Sequence, residues 1–164
     1  MSLLKIRTFP DSVLRRVSDP IIKVDRSLRL FIDRLIDTMR HQPGGIGIAA
    51  PQVGILKKVA IVDVSSKIPG ARLLVLINPV IVSAEDYQAN REGCMSLPDY
   101  TANIKRAQRL VVKWQDLGLK EHQMPAEGLE ARCIQHEIDH LNGMLFVDRA
   151  ASLKSDVFRR KRYL

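Results

Sequence analysis

Aromatic side chains are scarce in this chain: four Phe, three Tyr and one Trp among 164 residues. So few rings argue against a stacking platform for single-stranded nucleic acid, which relies on successive aromatic faces. Apolar runs are short too, none approaching the ~20 residues that a membrane-spanning helix requires. The opening stretch MSLLKIRTFPDSV lacks the apolar segment and small-residue cleavage site of an export signal, so no membrane association and a cytoplasmic location are expected. Only two cysteines occur, Cys94 and Cys133. In a reducing compartment they point to thiol or metal chemistry rather than a structural disulfide. Internal repeats, low-complexity tracts and Gly/Ser linkers are absent as well. The expectation is one catalytic domain over residues 1–150, followed by a short tail over 151–164. A chain of this length can bury roughly two-thirds of its unfolded surface around one core.

Positive charge is what the chain does carry, with a formal net charge of +8. The tail ASLKSDVFRRKRYL holds Lys154, Arg159, Arg160, Lys161 and Arg162 against Asp156, a net +4 and so half the excess. Two readings stand at this point: a solvated helix end whose charge aids solubility, or a handle that rests on RNA phosphates or another polyanion. The remaining charges are interspersed, and DNA is not an expected partner.

The apolar pattern predicts an α+β fold. Leu28, Phe31, Ile32, Leu35, Ile36 and Met39 recur at helical spacing after Asp25, a plausible N-cap, so a helix is expected to about Met39. VAIVDVS, LLVLINPVIVS and RLVVKWQD are β-branched runs bounded by turn residues and predict strands. A second helix is predicted over LEARCIQHEIDHL, closing at Asn142-Gly143. Strict alternation of strand and helix is missing. The expected architecture is therefore mixed or antiparallel sheet around a central helix, with an N-terminal helix besides.

That central helix carries His136-Glu137-x-x-His140. Residues four apart on a helix differ by about 40° in direction and about 6 Å in rise, so both imidazoles can face one point. Glu137 beside them is placed to move a proton between metal-activated water and a leaving amine. Two histidines need a third ligand. The longer protease motif H-E-x-x-H-x-x-G-x-x-H fails because Phe146 stands in the last position, and no glutamate follows Glu137 at all. Asp148 stays open as an alternative carboxylate ligand. Cys133, seven residues before His140, is about 10.5 Å away along the helix, too far for ligands that each approach one ion within ~2.0–2.3 Å. His41 and His122 sit in polar, turn-like contexts and are expected at the surface. Cys94, in REGCMSLP, is the best remaining candidate: Gly93 permits close backbone approach, and two His with one Cys leave a position open for water.

Three stretches, GIGIAAPQ (Gly45 to Gln52), EGCMS (Glu92 to Ser96) and QHEIDH (Gln135 to His140), resemble the three signature motifs of peptide deformylases in order and spacing. The likeness extends from about Arg7 to Asp148, and IRTFPDSVLRRVSDPI is similar to bacterial-type members. Gly45-x-Gly47-x-x-Ala50 also fits a dinucleotide fingerprint, but a helix precedes it and Pro51 follows, so no cofactor cradle is expected.

The resemblance implies a hydrolase that removes the formyl group from the N-terminal N-formylmethionine of newly made polypeptides and releases formate. It implies Cys94, His136 and His140 as metal ligands and Glu137 as the proton-transfer residue. The amide of Gln52 and the backbone N–H of Met95 would hold the carbonyl oxygen. Backbone at Gly47 would face the substrate, and Ile46, Leu129 and Cys133 would line an apolar pocket for methionine. A His₂Cys set alone suggests zinc, whereas the resemblance implies Fe²⁺, replaceable by Zn²⁺, Ni²⁺ or Co²⁺. Some members dock on the ribosome through a C-terminal element, which gives the basic tail a possible partner there. Glu92 and Arg106 are expected to pair and steady the cysteine strand. Two other classes are weighed against this one: a general metallopeptidase, disfavoured by the missing downstream ligand, and a non-catalytic basic module binding RNA or ribosomes, which would tolerate loss of Glu137.

Overall fold

Asp25 caps the first helix through its carboxylate, which accepts from the backbone N–H of Leu28 at 2.8 Å. The computed structural model describes residues 2–160, and this helix, α1, runs over Arg26–His41. Leu28, Ile32, Leu35, Ile36 and Met39 are its buried face, as the spacing predicts. Strands follow at Gly47–Ala49 (β1), Val59–Val62 (β2), Leu74–Cys94 (β3), Leu97–Gln115 (β4) and Glu121–Glu127 (β5). The second helix, α2, spans Gly128–Leu141, and a last strand, β6, spans Val157–Arg159. All pairings are antiparallel in the order β1-β2-β3-β4-β5, with β6 added to β4. The chain is thus α+β, and the tail region expected as a possible helix end contributes a strand.

β3 and β4 form one long hairpin, far longer than the apolar runs that predicted them. Residues 83–92 are mostly exposed on β3, while β4 alternates: Ala102 and Ile104 are buried with Leu14, Leu145 and Phe146, and Arg106 is buried against Asp139 of α2. Register shifts interrupt the hairpin at Ile77/Val80, Ile81/Ser83 and Gly93/Cys94. Such irregularities bend a strand and re-aim its side chains. The last one lies at Cys94 itself.

α2 is enclosed on nearly every side: Ala131, Cys133, Ile134, Gln135, Glu137, Ile138, Asp139, His140 and Leu141 are all buried. Its apolar members pack with Ala60, Val62, Leu74, Leu76, Leu110 and Val112 of the sheet, each buried Leu or Ile contributing about 1.5–3 kcal/mol. Gln135 clamps the helix to β4, accepting from the N–H of Ala107 at 3.1 Å and donating to its carbonyl at 2.8 Å. The helix stops where expected. Gly143 takes φ +73°, and a β-carbon there would lie 2.6 Å from the carbonyl oxygen of Arg15, so both conformation and space call for glycine.

Candidate metal centre

Cys94 ends β3, and His136 and His140 project from α2 one turn apart. One ligand atom from each lies within 4.8 Å of the others, and this is the one such His/Cys/Asp/Glu group among the described residues. Sγ of Cys94 is 3.3 Å from Nε2 of His140. Donors bound tetrahedrally at ~2.0–2.3 Å from an ion stand roughly 3.3–3.7 Å apart, so the Cys94–His140 pair is already at ligand spacing and the third donor is close by. The donor set, one thiol and two imidazoles, suits a borderline transition-metal ion. Asp148 lies outside the group and instead binds Arg15 and the backbone N–H of Leu145. Phe146, where a longer motif would carry a third histidine, stacks on the ring of His136 at 6.1 Å.

The outer partners orient the ligands. Nδ1 of His136 donates to Oε1 of Glu92 at 2.9 Å, leaving Nε2 with its lone pair for an ion. Glu92 in turn holds Arg106 through contacts of 2.5 and 3.1 Å, and Arg106 reaches Asp139 at 2.9 Å. Arg149 closes the set on Asp139 at 2.6 and 2.8 Å. Arg106 is only 2% exposed, so the pair expected with Glu92 is a buried network rather than a surface bridge. Burial pushes the Glu92 carboxyl up, but His136 and Arg106 outweigh it and hold Glu92 below its ordinary range.

The two histidines differ electrically. Burial opposes charge on His136, yet Glu137, Cys94 and Glu92 keep its proton affinity well above ordinary. His140, pressed by burial and by the charges of His136 and Arg106, is held well below and stays neutral.

Glu137 is 4% exposed, and its Oε1 has no hydrogen-bond partner among the described residues. Burial pushes its carboxyl up to about 7, against the pull of His136 and Arg106. A divalent cation alongside would draw that value down. Gln52, 1% exposed, accepts from the N–H of Ala49 at 2.9 Å through Oε1. That turns its NH₂ toward Ser96 Oγ at 3.2 Å and Cys94 Sγ at 3.5 Å.

These groups open into a cavity of about 560 Å³ whose lining includes Ile46, Gly47, Met95, Leu129 and Cys133 alongside the centre. Cys133 is a neutral wall residue: burial, then Glu137 and Glu92, push its thiol well up, and it donates to the Ile46 carbonyl at 3.5 Å. His41 is exposed at the end of α1, and His122 stacks on Trp114 and binds Asp116 at 2.6 Å. Sequence reasoning missed Ser96, Asp139 and Arg149. Asp139 lies inside QHEIDH and was legible only as a buried charge needing a partner; Arg149 carried no local signal.

A family model described as polypeptide deformylase matches residues 3–156. A peptide deformylase of Thermodesulfovibrio yellowstonii is 44% identical over 161 residues, covering 98% of this chain and 97% of that one. One from Halothermothrix orenii is 40% identical over 157 residues, covering 96% and 99%. Among solved structures, the Thermotoga maritima peptide deformylase superposes with TM-score 0.86 at 38% identity, covering 93% of this chain and 100% of that one. The Ehrlichia chaffeensis peptide deformylase in complex with actinonin gives 0.87 at 39% identity, covering 94% and 92%.

Proposed function

The chain belongs to the polypeptide deformylase family, metal-dependent hydrolases that remove the formyl group from the N-terminal N-formylmethionine of nascent peptides, and from that premise we propose how its own residues perform the reaction. Cys94, His136 and His140 hold one divalent ion, Fe²⁺, with Zn²⁺, Ni²⁺ or Co²⁺ able to replace it. The observation that carries this reading is the convergence of three ligand atoms within 4.8 Å beside a buried glutamate.

The ion, when bound, supplies Lewis acidity that activates water and draws charge from the carbonyl oxygen. Glu137, buried beside the ligand atoms with its Oε1 unpaired among the described residues, would take the proton from the attacking water and pass it to the departing amine. Gln52, with its NH₂ already turned inward by Ala49, donates to the oxygen as charge develops, together with the backbone N–H of Met95. Water adds to the formyl carbon, the C–N bond breaks, and formate and a free methionine amine leave. The methionine side chain lies against Ile46, Leu129 and Cys133, with Gly47 offering backbone to the peptide.

The place of action is the cytoplasm, where formylated chains emerge from ribosomes, and no described helix is long and apolar enough to cross a membrane. Lys154 and Arg159 are exposed, and with Lys161 and Arg162, which lie outside the described residues, they give the tail over 151–164 a cationic surface for ribosomal RNA phosphates. Truncation after Arg160 keeps β6 and is expected to weaken co-sedimentation with ribosomes at low salt; unchanged binding refutes this docking. The enzymatic reading is tested by anaerobic purification, metal analysis and formate assay. One iron per chain with formate released from formyl-Met peptides supports it; cleavage of internal peptide bonds, or no formate, overturns it.

A further inference from the structure

Lys67, Arg91, Arg132 and Arg160 line the same cavity as Cys94, His136 and Glu137. Among the described residues no ion pair takes up any of these four cations. The lining's acids are Glu92 and Glu137. Glu92 is committed to Arg106 and His136, and Glu137 is buried beside the ligand atoms. The outer wall therefore presents positive charge to whatever passes over it.

Arg160 is placed over the cavity by strand pairing. Phe158 of β6 pairs with Thr101 of β4, and Thr101 pairs on its other side with Gly93 of β3. Side chains two apart on an extended strand share a face, and Phe158 and Arg160 both reach across β4. The Arg91 guanidinium lies 3.8 Å from the centre of the Phe158 ring. The Arg160 guanidinium lies on Gly93, its Nη2 only 2.1 Å from where a β-carbon would stand. A glycine at 93 is what makes room for that cation. Gly93 immediately precedes the ligand residue Cys94. The Arg160 N–H, bonded to the Asp99 carbonyl at 2.7 Å, anchors the approach. Arg91 is held by Asn103 at 3.1 Å and Thr101 at 3.3 Å, and Arg132, one turn before His136, by Gln108 at 3.0 Å.

We propose that Arg160, supported by Arg91, Arg132 and Lys67, binds an acidic side chain on the residues that follow the formylated methionine and so makes the enzyme selective for acidic N-terminal sequences. This rests on the deformylase reading of the site. With the formyl group at the metal ligands and methionine against the apolar wall, the rest of the peptide leaves over these cations. An arginine fork matches a carboxylate bidentately. RNA is the competing occupant; the peptide is favoured because these cations line the same cavity as the ligand atoms and Glu137.

The test uses the metal-loaded enzyme and C-terminally amidated formyl-Met-Ala-X-Ala peptides with X as Asp, Asn or Lys, so that no terminal carboxylate contributes. Wild type is expected to favour Asp over Asn about fivefold in kcat/KM at low salt, the scale of one partly exposed ion pair. The gain appears in KM and shrinks at high salt. Arg160→Gln brings the ratio near one, Arg160→Lys keeps part of it, and Arg159→Gln, on the opposite face of β6, keeps the wild-type ratio. Equal turnover of Asp and Asn peptides by wild type, or a ratio that survives Arg160→Gln, overturns the proposal. Equal turnover combined with competitive inhibition by RNA would assign the wall to RNA instead. Absence of formate from every peptide is a separate failure, that of the deformylase reading, and takes this proposal with it.

Discussion

A β-carbon on Gly47 would lie 2.5 Å from Oε2 of Glu137 and 2.6 Å from Sγ of Cys133. The bare backbone of β1 is what lets the glutamate lie where it does. Gly47→Ala must push Glu137 aside, so formate release is expected to fall about 100-fold or more, toward the loss of general acid–base catalysis. Overpacking should also lower stability by about 1–3 kcal/mol. Adding Cys133→Ala relieves the sulfur contact and recovers part of the melting temperature but little of the rate, because the clash with Glu137 remains.

Arg106 faces Glu92 and Asp139 from a site that is 2% exposed. Arg106→Leu leaves two buried carboxylates without their shared cation, and urea denaturation should show a loss of about 3–5 kcal/mol. A loss below about 1 kcal/mol would mean that water reaches and solvates this network.

Chelation should destabilise the native chain more than it destabilises a Cys94→Ala variant. An ion at about 100 times its Kd adds ~2.7 kcal/mol to the stability of the folded state. Wild type should therefore lose several degrees of melting temperature with chelator, and the variant almost none. Equal shifts would place the ion elsewhere.

Asp148 gives a pH signature. Burial pushes its carboxyl up, but Arg15 and the N–H of Leu145 prevail and hold it below its ordinary value. Its contribution is then fully present above the unfolded carboxyl's pKa of ~3.9 and is lost as pH falls through the lower folded value. Asp148→Asn keeps the cap and removes the charge. The stability gap between wild type and variant, a modest one for a pair exposed by about a third, should be constant near neutrality and close below about pH 4.

Much of the centre was legible because it obeys local periodicity. His136 and His140 share a helix face, Asp25 and Gly143 mark helix ends, and the absence of a later glutamate directs attention back to Cys94. The long hairpin was not legible. Its outer residues 83–92 are polar on an exposed ribbon, so no alternation marks the strand, and cross-strand pairing alone defines it. The short strands β1 and β6 escaped for a related reason: three residues carry too little pattern, and only their partners in the sheet specify them. The shell of Asp139 and Arg149 depends on contacts that no single segment contains. Arg160 read in sequence as one charge of a basic tail, whereas β6 turns it into the cavity over Gly93.

The most direct measurement compares wild type with Glu137→Ala, both prepared without oxygen, for bound metal and for formate released from a formyl-Met peptide. Both should hold one ion per chain, since Glu137 is no ligand, while the variant's rate falls by about 10²–10⁴. Equal rates from equally metallated proteins would contradict the assignment of proton transfer to Glu137.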